Sequence, residues 1–299
     1  MLAGAVIEYL GACSTVLDCT LGGGGHARAL LDAGVQRVIG VDRDPDALEA
    51  AAMRLRPYVD AGRLTAVESN YAAIEHVSSL SGVQFDGILL DLGVSSHQID
   101  AEARGFTFRP GAPLDMRMGP DATRTAADFL NEEPERVLTE AFRLYADEPR
   151  AGRLAREIVR RRGNRRLDTS DDLVGAIRAV LGSRSGSAEF ARLFQAVRIA
   201  VNDELTGLDH ALPVLRDRLT PGGTMVVIAY HSGEDRLVKH AFREWSAACV
   251  CPPRQPICTC RGRPLGITLT RRAVVASDDE IGHNPRARSA RLRAWRSAE

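Results

Sequence analysis

Four consecutive glycines at residues 22–25, in the stretch VLDCTLGGGGHARALL, separate an apolar run from a helix-like pattern. A glycine loop lets a ligand lie close to the backbone, because no Cβ atoms stand in the way. Phosphates, dinucleotides and sulfonium cofactors are the ligands that such a loop could serve. No Lys-Ser or Lys-Thr pair follows the glycines, so the loop is not a phosphate-binding P-loop.

Acidic residues near this loop distinguish the remaining ligands. Residues 22–27 match the dinucleotide pattern G-x-G-x-x-A, and Asp42 stands where a ribose-binding acid belongs. These two features suit NAD and S-adenosylmethionine about equally. Asp18 and Asp91, which each end an apolar run, would repel a pyrophosphate but would attract the ammonium and sulfonium of S-adenosylmethionine. Although Asp18 could be only a solvated residue at a strand end, the sequence favours S-adenosylmethionine.

Strands and helices alternate in the N-terminal part of the chain. The runs STVLDCT, QRVIGVD, RLTAVESN and QFDGILLDLG predict strands, and Asp44 followed by Pro45 predicts a helix start. This alternation indicates a parallel sheet covered by helices on both faces. Ligands of such sheets bind at the carboxyl ends of the strands, where we expect Asp18, Asp42 and Asp91.

After Asp100 the pattern is helical for roughly 100 residues and then alternates again, in GLDHALPVLRDRL and TMVVIAY. A helical block inside a strand–helix series indicates an inserted domain. We therefore expect an α/β fold in three segments. They are a first part of the sheet domain at 1–105, an all-helical insertion domain at 106–206, and a second part of the sheet domain with a basic C-terminal segment at 207–299.

The formal net charge is zero, but arginines are clustered. Residues 150–166 hold eight arginines against one acid, and residues 250–299 hold ten against four. The clusters indicate binding of a polyanion, although a solvated helix face and tail would look the same. No apolar run reaches the roughly 18 residues of a membrane span, and the first residues lack a signal-peptide pattern. We expect a cytoplasmic protein with no membrane partner.

Eight blocks of sequence carry a more specific resemblance. They are TLGGGGHA, VDRDPDAL, DGILLDLGVSSHQID, RGFTF, PLDMRM, FQAVRIAVNDEL, AYHSGEDRLVK and NPRARSARLR. In this order they span nearly the whole chain, and together they resemble the bacterial 16S ribosomal RNA cytosine N4-methyltransferase family (RsmH, also called MraW). The resemblance implies a Rossmann-like class I methyltransferase sheet with an RNA-binding helical insertion. It also implies S-adenosyl-L-methionine as methyl donor. The implied acceptor is a cytosine in the decoding region of 16S ribosomal RNA, free or in the small ribosomal subunit.

The resemblance also assigns cofactor-binding residues by their positions in these blocks: Gly24, Gly25, His26, Asp42, Tyr71, Asp91 and Gln98. Asp42 would bind the ribose hydroxyls, and Tyr71 would pack near the adenine. His26 could instead offer only its backbone N–H, and Tyr71 could be an ordinary aromatic residue at a helix start. We expect Gly24→Ala to weaken cofactor binding with little effect on the melting temperature of the cofactor-free protein.

The implied reaction is demanding, because the lone pair of the cytosine amine is delocalised into the ring. The nitrogen must therefore be held in line with the methyl group and the sulfur. Amine-directed methyltransferases usually carry a Pro-Pro-aromatic motif after the fourth strand, where this chain has DLGVSS. The carbonyl groups of that segment and Ser95 are candidate acceptors for the amine hydrogens. Asp115 and His231 are the other catalytic candidates, and a structural role is open for all three side chains.

Two other functions fit parts of the sequence. An NAD-dependent oxidoreductase explains the glycine loop and Asp42, but it does not explain Asp18 or the arginine clusters. An RNA-binding ribosome assembly factor that lost its chemistry would have a damaged cofactor pocket, yet the assigned positions hold usable residues. The family usually opens with a His-x-Pro-Val segment, and this chain begins at Met1 inside that block. Either the start is misassigned or this member lacks the segment, and the oligomeric state is not predicted.

Four cysteines form the pattern C-x-C-x6-C-x-C at Cys249, Cys251, Cys258 and Cys260. In a cytosolic chain this grouping favours zinc over disulfides. However, the C-x-C spacing is tighter than the usual C-x2-C, so reduced thiols packing a Pro-rich loop are the alternative. No metal ligand is therefore assigned from the sequence.

Overall fold

The computed structural model describes residues 1–252, 255 and 257–299. The chain divides into two compact units, and we name them the sheet unit (Met1–Gly93 with Leu205–Glu299) and the helical unit (Val94–Glu204). The helical unit thus begins twelve residues before the predicted insertion at 106–206. The segment before residue 106 belongs with the helices because Arg104 holds it there: its carbonyl accepts a 3.0 Å bond from the Met116 N–H, and its guanidinium donates to two further carbonyls.

The first part of the sheet unit alternates strands and helices, as the sequence predicts. Its elements are α1 (Ala3–Leu10), β1 (Thr15–Asp18), α2 (Gly25–Asp32), β2 (Arg37–Asp42), α3 (Pro45–Arg54), α4 (Arg56–Asp60), β3 (Leu64–Glu68) and β4 (Phe85–Asp91). Asp44 caps α3 by accepting a 3.2 Å hydrogen bond from the Asp46 N–H, and Pro45 occupies the first helical position. The predicted helix start is therefore confirmed.

The helical unit contains six α-helices among its described residues. They are α5 (Ser96–Asp100), α6 (Ala126–Glu132), α7 (Glu135–Ala146), α8 (Ala151–Arg162), α9 (Ser170–Leu181) and α10 (Ser187–Asn202). Residues at helical spacing, such as Leu154 and Ile158 on α8 and Leu138 and Phe142 on α7, meet in one buried core. This apolar core explains how the insertion can form a compact unit of its own.

The second part of the sheet unit completes the sheet. Its elements are α11 (Glu204–Arg216), β5 (Leu219–Ala229), α12 (Ser232–Trp245), β6 (Gly266–Thr268), β7 (Val274–Val275), α13 (Asp278–His283) and β8 (Arg291–Ser297). The segment TPGG at 220–223 is part of β5, and the β4–β5 register skips there from the pair Phe85–Leu219 to the pair Gly87–Thr224. Residues 220–223 therefore bulge within one long strand.

Among the described residues, the strands lie in the order β3-β2-β1-β4-β5-β8-β6 across the sheet, and β7 also pairs with β8. The first five of these strands are parallel, and β8 runs antiparallel to β5. Alternate residues face two different cores: Leu17 and Ile88 face one, and Val16 and Leu89 face the other. The predicted α/β class with a doubly covered parallel sheet is confirmed. Among the described helices, none is both long and apolar enough to span a membrane.

Candidate cofactor-binding site

The glycine loop turns the chain from β1 into α2. The N–H of Leu21 donates a 2.9 Å bond to the carbonyl of Val41 on β2, which fixes the start of the loop. Gly24 precedes α2 with φ +72°, a left-handed conformation that favours glycine. A Cβ atom built on Gly24 would lie 2.6 Å from Leu55 Cδ1, whereas one on Gly25 would meet open space. The turn itself therefore requires glycine at 24 but not at 25.

Asp42, the last residue of β2, ties this loop to the sheet. Its Oδ2 accepts a 2.7 Å bond from the Gly22 N–H, and its Oδ1 accepts a 3.0 Å bond from the Asp44 N–H. Burial raises the pKa of Asp42, although these backbone donors act in the opposite direction. Each carboxylate oxygen can accept more than one hydrogen bond, so Asp42 keeps capacity for a hydroxyl group.

Asp18 is a buried acid with an unused oxygen. Its side chain is 1% exposed, and its Oδ1 accepts a 3.2 Å hydrogen bond from the Thr20 N–H, whereas its buried Oδ2 has no hydrogen-bond partner. Burial raises the pKa of Asp18 from 3.8 to about 7, and the charges of Asp91 and Asp42 add to this effect. A nearby positive charge on a ligand would satisfy this carboxylate.

Asp91 lies between two side chains at the end of β4. Its Oδ1 accepts a 2.7 Å hydrogen bond from the Tyr230 hydroxyl, and its Oδ2 lies 3.3 Å from His26 Nε2. The second contact is a close approach and not a hydrogen bond, because both ring nitrogens of the buried His26 lack a partner of suitable geometry. The imidazole of His26 therefore offers binding capacity beyond its backbone N–H.

Thr20 and Tyr230 are site residues that the sequence analysis missed. Thr20 joins two strand ends, since its N–H donates to Asp18 and its Oγ1 accepts a 2.6 Å bond from the Asp91 N–H. Tyr230 holds the Asp91 carboxylate from the end of β5. Thr20 lies in the block TLGGGGHA, and Tyr230 lies in the block AYHSGEDRLVK. Their polar side chains stand next to positions that the resemblance singles out, and this was the signal in the sequence that could have identified them.

Tyr71 follows the end of β3 and opens a 3₁₀ helix at Tyr71–His76. Asn70 caps this helix, because its Oδ1 accepts a 2.9 Å bond from the Ala72 N–H. The half-buried Tyr71 ring packs against the apolar core on one face of the sheet. This placement suits both an adenine contact and an ordinary aromatic at a helix start.

Ser95 and Gln98 lie in the helical unit and cap the short helix α5. The Ser95 oxygen accepts a 3.2 Å bond from the Gln98 N–H, and Gln98 Oε1 accepts a 3.0 Å bond from the Ser95 N–H. This reciprocal pair is a capping box. The buried Gln98 also donates to the Met118 carbonyl at 3.3 Å. Both side chains therefore have clear structural tasks within their own unit.

Asp115, also in the helical unit, forms a two-point ion pair with Arg117, with distances of 2.9 and 2.8 Å to the guanidinium nitrogens. Partial burial alone raises the pKa of Asp115, but the hydrogen bonds and charge of Arg117 outweigh it, and the pKa is lowered. Asp115 is therefore a poor general base at neutral pH. It positions Arg117 instead.

His231, in the sheet unit, caps α12. Its Nδ1 accepts bonds from the Gly233 and Glu234 N–H groups at 3.2 and 3.4 Å. Its buried Nε2 lies 3.2 Å from Glu234 Oε1 without hydrogen-bond geometry. Because Nδ1 is an acceptor, the neutral ring carries its proton on Nε2. His231 therefore organises the helix start next to Tyr230.

The arginine cluster at 150–166 is largely engaged within the helical unit. Arg160 and Arg161 both bond to Glu157, at 2.8 and 2.7 Å, and Arg162 donates to the Leu130 and Glu133 carbonyls. In the C-terminal segment, the buried Arg293 pairs with Asp235 at 2.7 Å. Arg162 and Arg293 are therefore held within the fold, whereas six of the eight arginines at 150–166 are exposed.

Comparison with known proteins identifies the family. The profile of the MraW methylase family matches residues 2–298. The ribosomal RNA small subunit methyltransferase H of Gemmatimonas aurantiaca is 65% identical over 298 residues, which cover 100% of this chain and 94% of that protein. The protein of the same name from Heliobacterium modesticaldum is 48% identical over 285 residues, with 93% and 90% covered.

Solved structures show only a distant likeness. The N-methyltransferase NodS from Bradyrhizobium japonicum, in complex with S-adenosyl-l-homocysteine, has a TM-score of 0.46 and 9% identity, with 99% of this chain and 86% of that chain covered. A likeness of this degree does not bear on the site, and the assignment depends on the sequence matches. Since a family profile and relatives of high identity cover nearly the whole chain, this protein belongs to the MraW methylase family.

Proposed function

We propose that this protein transfers a methyl group from S-adenosylmethionine to the N4 amine of a cytosine in the decoding region of 16S ribosomal RNA. Family membership and the names of the relatives support the broader statement, methylation of small-subunit ribosomal RNA. The eight sequence blocks support the finer one. The structural observation that carries the proposal is the buried acidic end of the sheet, with its unpartnered Asp18 oxygen and His26 nitrogens.

The carboxylates at this end of the sheet fit S-adenosylmethionine better than a dinucleotide. Asp18, Asp42 and Asp91 end three neighbouring parallel strands, so a ligand there meets three carboxylates. An ammonium group would pair with the buried Asp18 oxygen and lower the cost of its burial. A pyrophosphate would add two negative charges to the same place. The NAD-dependent oxidoreductase is therefore disfavoured.

The Asp42 carboxylate is the proposed ribose ligand. It lies at the end of β2, one strand from Asp18, and it also holds the glycine loop through Gly22. A ribose hydroxyl would add a further donor to the backbone N–H groups that this carboxylate already binds. Gly25 leaves open space beside the loop for the methionine portion. Ring contact with the adenine is the role proposed for Tyr71.

When bound, S-adenosylmethionine supplies a methyl group on a positively charged sulfur. The residues of this chain must hold that methyl donor and hold the cytosine nitrogen in line with it. They must also accept hydrogen bonds from the amine hydrogens. Asp18, His26 and Asp42 serve the first task. Ser95, Asp115 and His231 stay the candidates for the cytosine, although each already has a structural partner. We therefore expect positioning, and not a strongly shifted base, to dominate catalysis.

The helical unit is the proposed RNA-binding part. Along α8, the exposed residues Arg153, Arg156 and Arg160 follow the spacing i, i+3, i+7 and so share one face. Arg162, by contrast, points to backbone carbonyls. The exposed face provides positive charge for phosphates, and its contribution should depend on salt.

Calorimetric titration with S-adenosylmethionine and with NADH tests the cofactor assignment. We expect binding of the first and none of the second. Asp42→Ala should weaken the binding of S-adenosylmethionine by about 1.5–3 kcal/mol, the range for a hydrogen bond to a charged group. Arg162→Gln is a matched control, because it removes a charged side chain from the other unit. Binding of NADH, or unchanged affinity of Asp42→Ala, would contradict the assignment.

A further inference from the structure

The loop at 246–265 connects α12 to β6, and its described part contains no helix or strand. Loops longer than about 12–15 residues without secondary structure are uncommon in compact domains unless something else orders them. This loop carries the four cysteines Cys249, Cys251, Cys258 and Cys260, which we call the cysteine cluster. The cluster lies outside the cofactor-binding site and has no part in the proposed methyl transfer.

The four sulfur atoms of the cysteine cluster are brought together in one place, all within 4.8 Å of one another. Cys258 Sγ lies 3.8 Å from Cys249 Sγ, 3.8 Å from Cys251 Sγ and 3.4 Å from Cys260 Sγ. Cys260 Sγ lies 3.8 Å from Cys249 Sγ. A tetrahedral zinc ion with Zn–S bonds of about 2.3 Å places its ligand sulfurs about 3.8 Å apart. The observed spacing therefore matches the edges of that tetrahedron.

Apolar packing does not explain this arrangement. Cys249 and Cys258 are exposed, and the other two cysteines are only half-buried. The apolar neighbours Val250 and Ile257 are themselves exposed, at 41% and 75%. Thiols packing a small core would be covered by such side chains. The loop instead gathers its sulfurs, while the apolar side chains next to them, Val250 and Ile257, stay exposed.

Disulfide pairing does not explain the arrangement either. A disulfide joins two sulfurs at about 2.0 Å and leaves each with one partner. Here Cys258 is close to three other sulfurs at nearly equal distances. Four mutually adjacent sulfurs are the geometry of a shared central ion.

The surroundings of the cluster fit a thiolate site. The Val250 N–H donates to Cys260 Sγ at 3.4 Å, and such amide donors stabilise sulfur ligands of a metal. Arg261 donates to the Arg263 carbonyl at 3.1 Å and to the carbonyl of Glu244 on α12. The Leu265 N–H donates to the Trp245 carbonyl at 2.8 Å. Both ends of the loop are thus fixed near the end of α12.

We propose that Cys249, Cys251, Cys258 and Cys260 bind one zinc ion in a closed, structural tetrathiolate site that orders the loop at 246–265. Four protein ligands leave no open position, so the ion would stabilise the loop without activating water. Each thiol loses its proton to solvent as its Zn–S bond forms, and no oxidant or reductant is needed.

Metal analysis of the untagged full-length chain tests this proposal. Bound metal is removed with a chelator, zinc is added back, and unbound zinc is removed. We then expect one zinc ion per chain. Cys258→Ser and Cys249→Ser should each lose this zinc, and the control Cys13→Ser, at a half-buried cysteine elsewhere in the sheet unit, should keep it. Refilling with Co²⁺ should give the sulfur-to-metal charge-transfer band of a tetrathiolate. Zinc that is unaffected by Cys258→Ser, or Co²⁺ without that band, would overturn the proposal.

Two further measurements test whether the cluster forms disulfides and whether zinc orders the loop. The chain has six cysteines, so thiol titration of the chelated, denatured protein prepared without reductant should find all six reduced. Two disulfides within the cluster would leave only Cys13 and Cys19 reactive, which would contradict a zinc site. Trypsin should cleave the loop at 246–265 faster after chelation, and Cys258→Ser should already show the fast rate. Equal cleavage rates with and without zinc would refute the ordering role.

Discussion

The hydroxyl of Tyr230 donates a 2.7 Å hydrogen bond to the Asp91 carboxylate, and this bond joins the ends of the neighbouring strands β5 and β4. Burial and the charge of Asp91 raise the pKa of Tyr230, so its hydroxyl stays protonated and remains a donor. The other Asp91 oxygen lies beside His26. Asp91 is therefore held in one orientation, between a tyrosine and a histidine.

Replacing Tyr230 by phenylalanine should loosen this arrangement. Tyr230→Phe leaves the ring in place but removes the donor to a charged acceptor, at a cost of about 1.5–3 kcal/mol shared between folding and cofactor binding. Urea unfolding of the cofactor-free protein and calorimetry with S-adenosylmethionine measure the two shares. If both quantities equal those of the unmodified chain, Tyr230 does not position Asp91.

Asp18 should reduce the stability of the cofactor-free protein. Its pKa is raised from 3.8 to about 7, so folding disfavours its charged form, and stability is lost as pH rises from about 4 to 7. Asp18→Asn cannot ionise and should be more stable than the unmodified chain above pH 7, by up to about 4 kcal/mol. Chemical unfolding at pH 5 and pH 8 compares the two. A variant that is less stable at pH 8 would refute this assignment of Asp18.

The same acid should make cofactor binding depend on pH. An ammonium group binds the Asp18 carboxylate, so the affinity for S-adenosylmethionine should rise with pH through about 7. His26, Asp42 and Asp91 also influence the pKa of Asp18 and therefore the pH at which the affinity rises. Asp18→Asn should bind S-adenosylmethionine weakly at every pH, and its affinity should no longer rise near pH 7. A variant with the affinity and the pH profile of the unmodified chain would show that Asp18 does not contact the cofactor.

Gly24 and Gly25 should respond differently to alanine. Gly24→Ala forces a left-handed residue, which costs about 1–2 kcal/mol, and it also meets Leu55, so the cofactor-free protein should melt earlier. The geometry of Gly24 therefore argues against the expectation of an unchanged melting temperature. Gly25→Ala meets open space and should fold normally, yet lose at least tenfold in cofactor affinity, about 1.4 kcal/mol. If calorimetry finds full affinity in Gly25→Ala, the loop serves only the turn.

Local patterns in the sequence predict most of the fold. Alternating apolar runs predict the parallel strands, and the pair Asp44–Pro45 predicts the start of α3, because a helix cap depends on neighbouring residues only. The capping box of Ser95 and Gln98 is equally local, and its S-x-x-Q spacing was a readable signal for a structural role. Carboxylates at the ends of strands follow from the parallel order itself.

Partners that are distant in sequence could not be predicted. Arg162 donates to the Leu130 carbonyl, 32 residues away, and Arg293 pairs with Asp235, 58 residues away. A count of charges treats both arginines as available to a polyanion, although tertiary packing engages them within the protein. The contact between Gly24 and Leu55 depends in the same way on how α3 packs.

The exposed face of α8 should contribute to RNA affinity. Replacing Arg153, Arg156 and Arg160 by glutamine should weaken RNA binding and flatten its salt dependence, by up to about one unit of log–log slope per lost phosphate contact. Affinity for S-adenosylmethionine should not change. Filter binding at several salt concentrations measures the slope, and an unchanged slope would mean that RNA binds elsewhere.

Arg162→Gln is the matched control for that experiment. Its guanidinium donates to the Leu130 and Glu133 carbonyls at 2.9 and 2.7 Å, so its loss should lower the free energy of unfolding of the helical unit by about 1–3 kcal/mol. Urea unfolding should show this destabilisation, while the salt slope of RNA binding stays the same. A stable variant with a flatter slope would reverse the roles given to these arginines.

Single-turnover methylation tests the central claim most directly. Excess protein is mixed with methyl-labelled S-adenosylmethionine and unmethylated 16S ribosomal RNA, either free or in the small subunit, and mass spectrometry locates the label. We expect one methyl group on the N4 amine of one decoding-region cytosine, and a large loss of rate in Asp42→Ala at a cofactor concentration that saturates the unmodified chain. No transfer to either substrate, or transfer to any other atom, would contradict the proposed function.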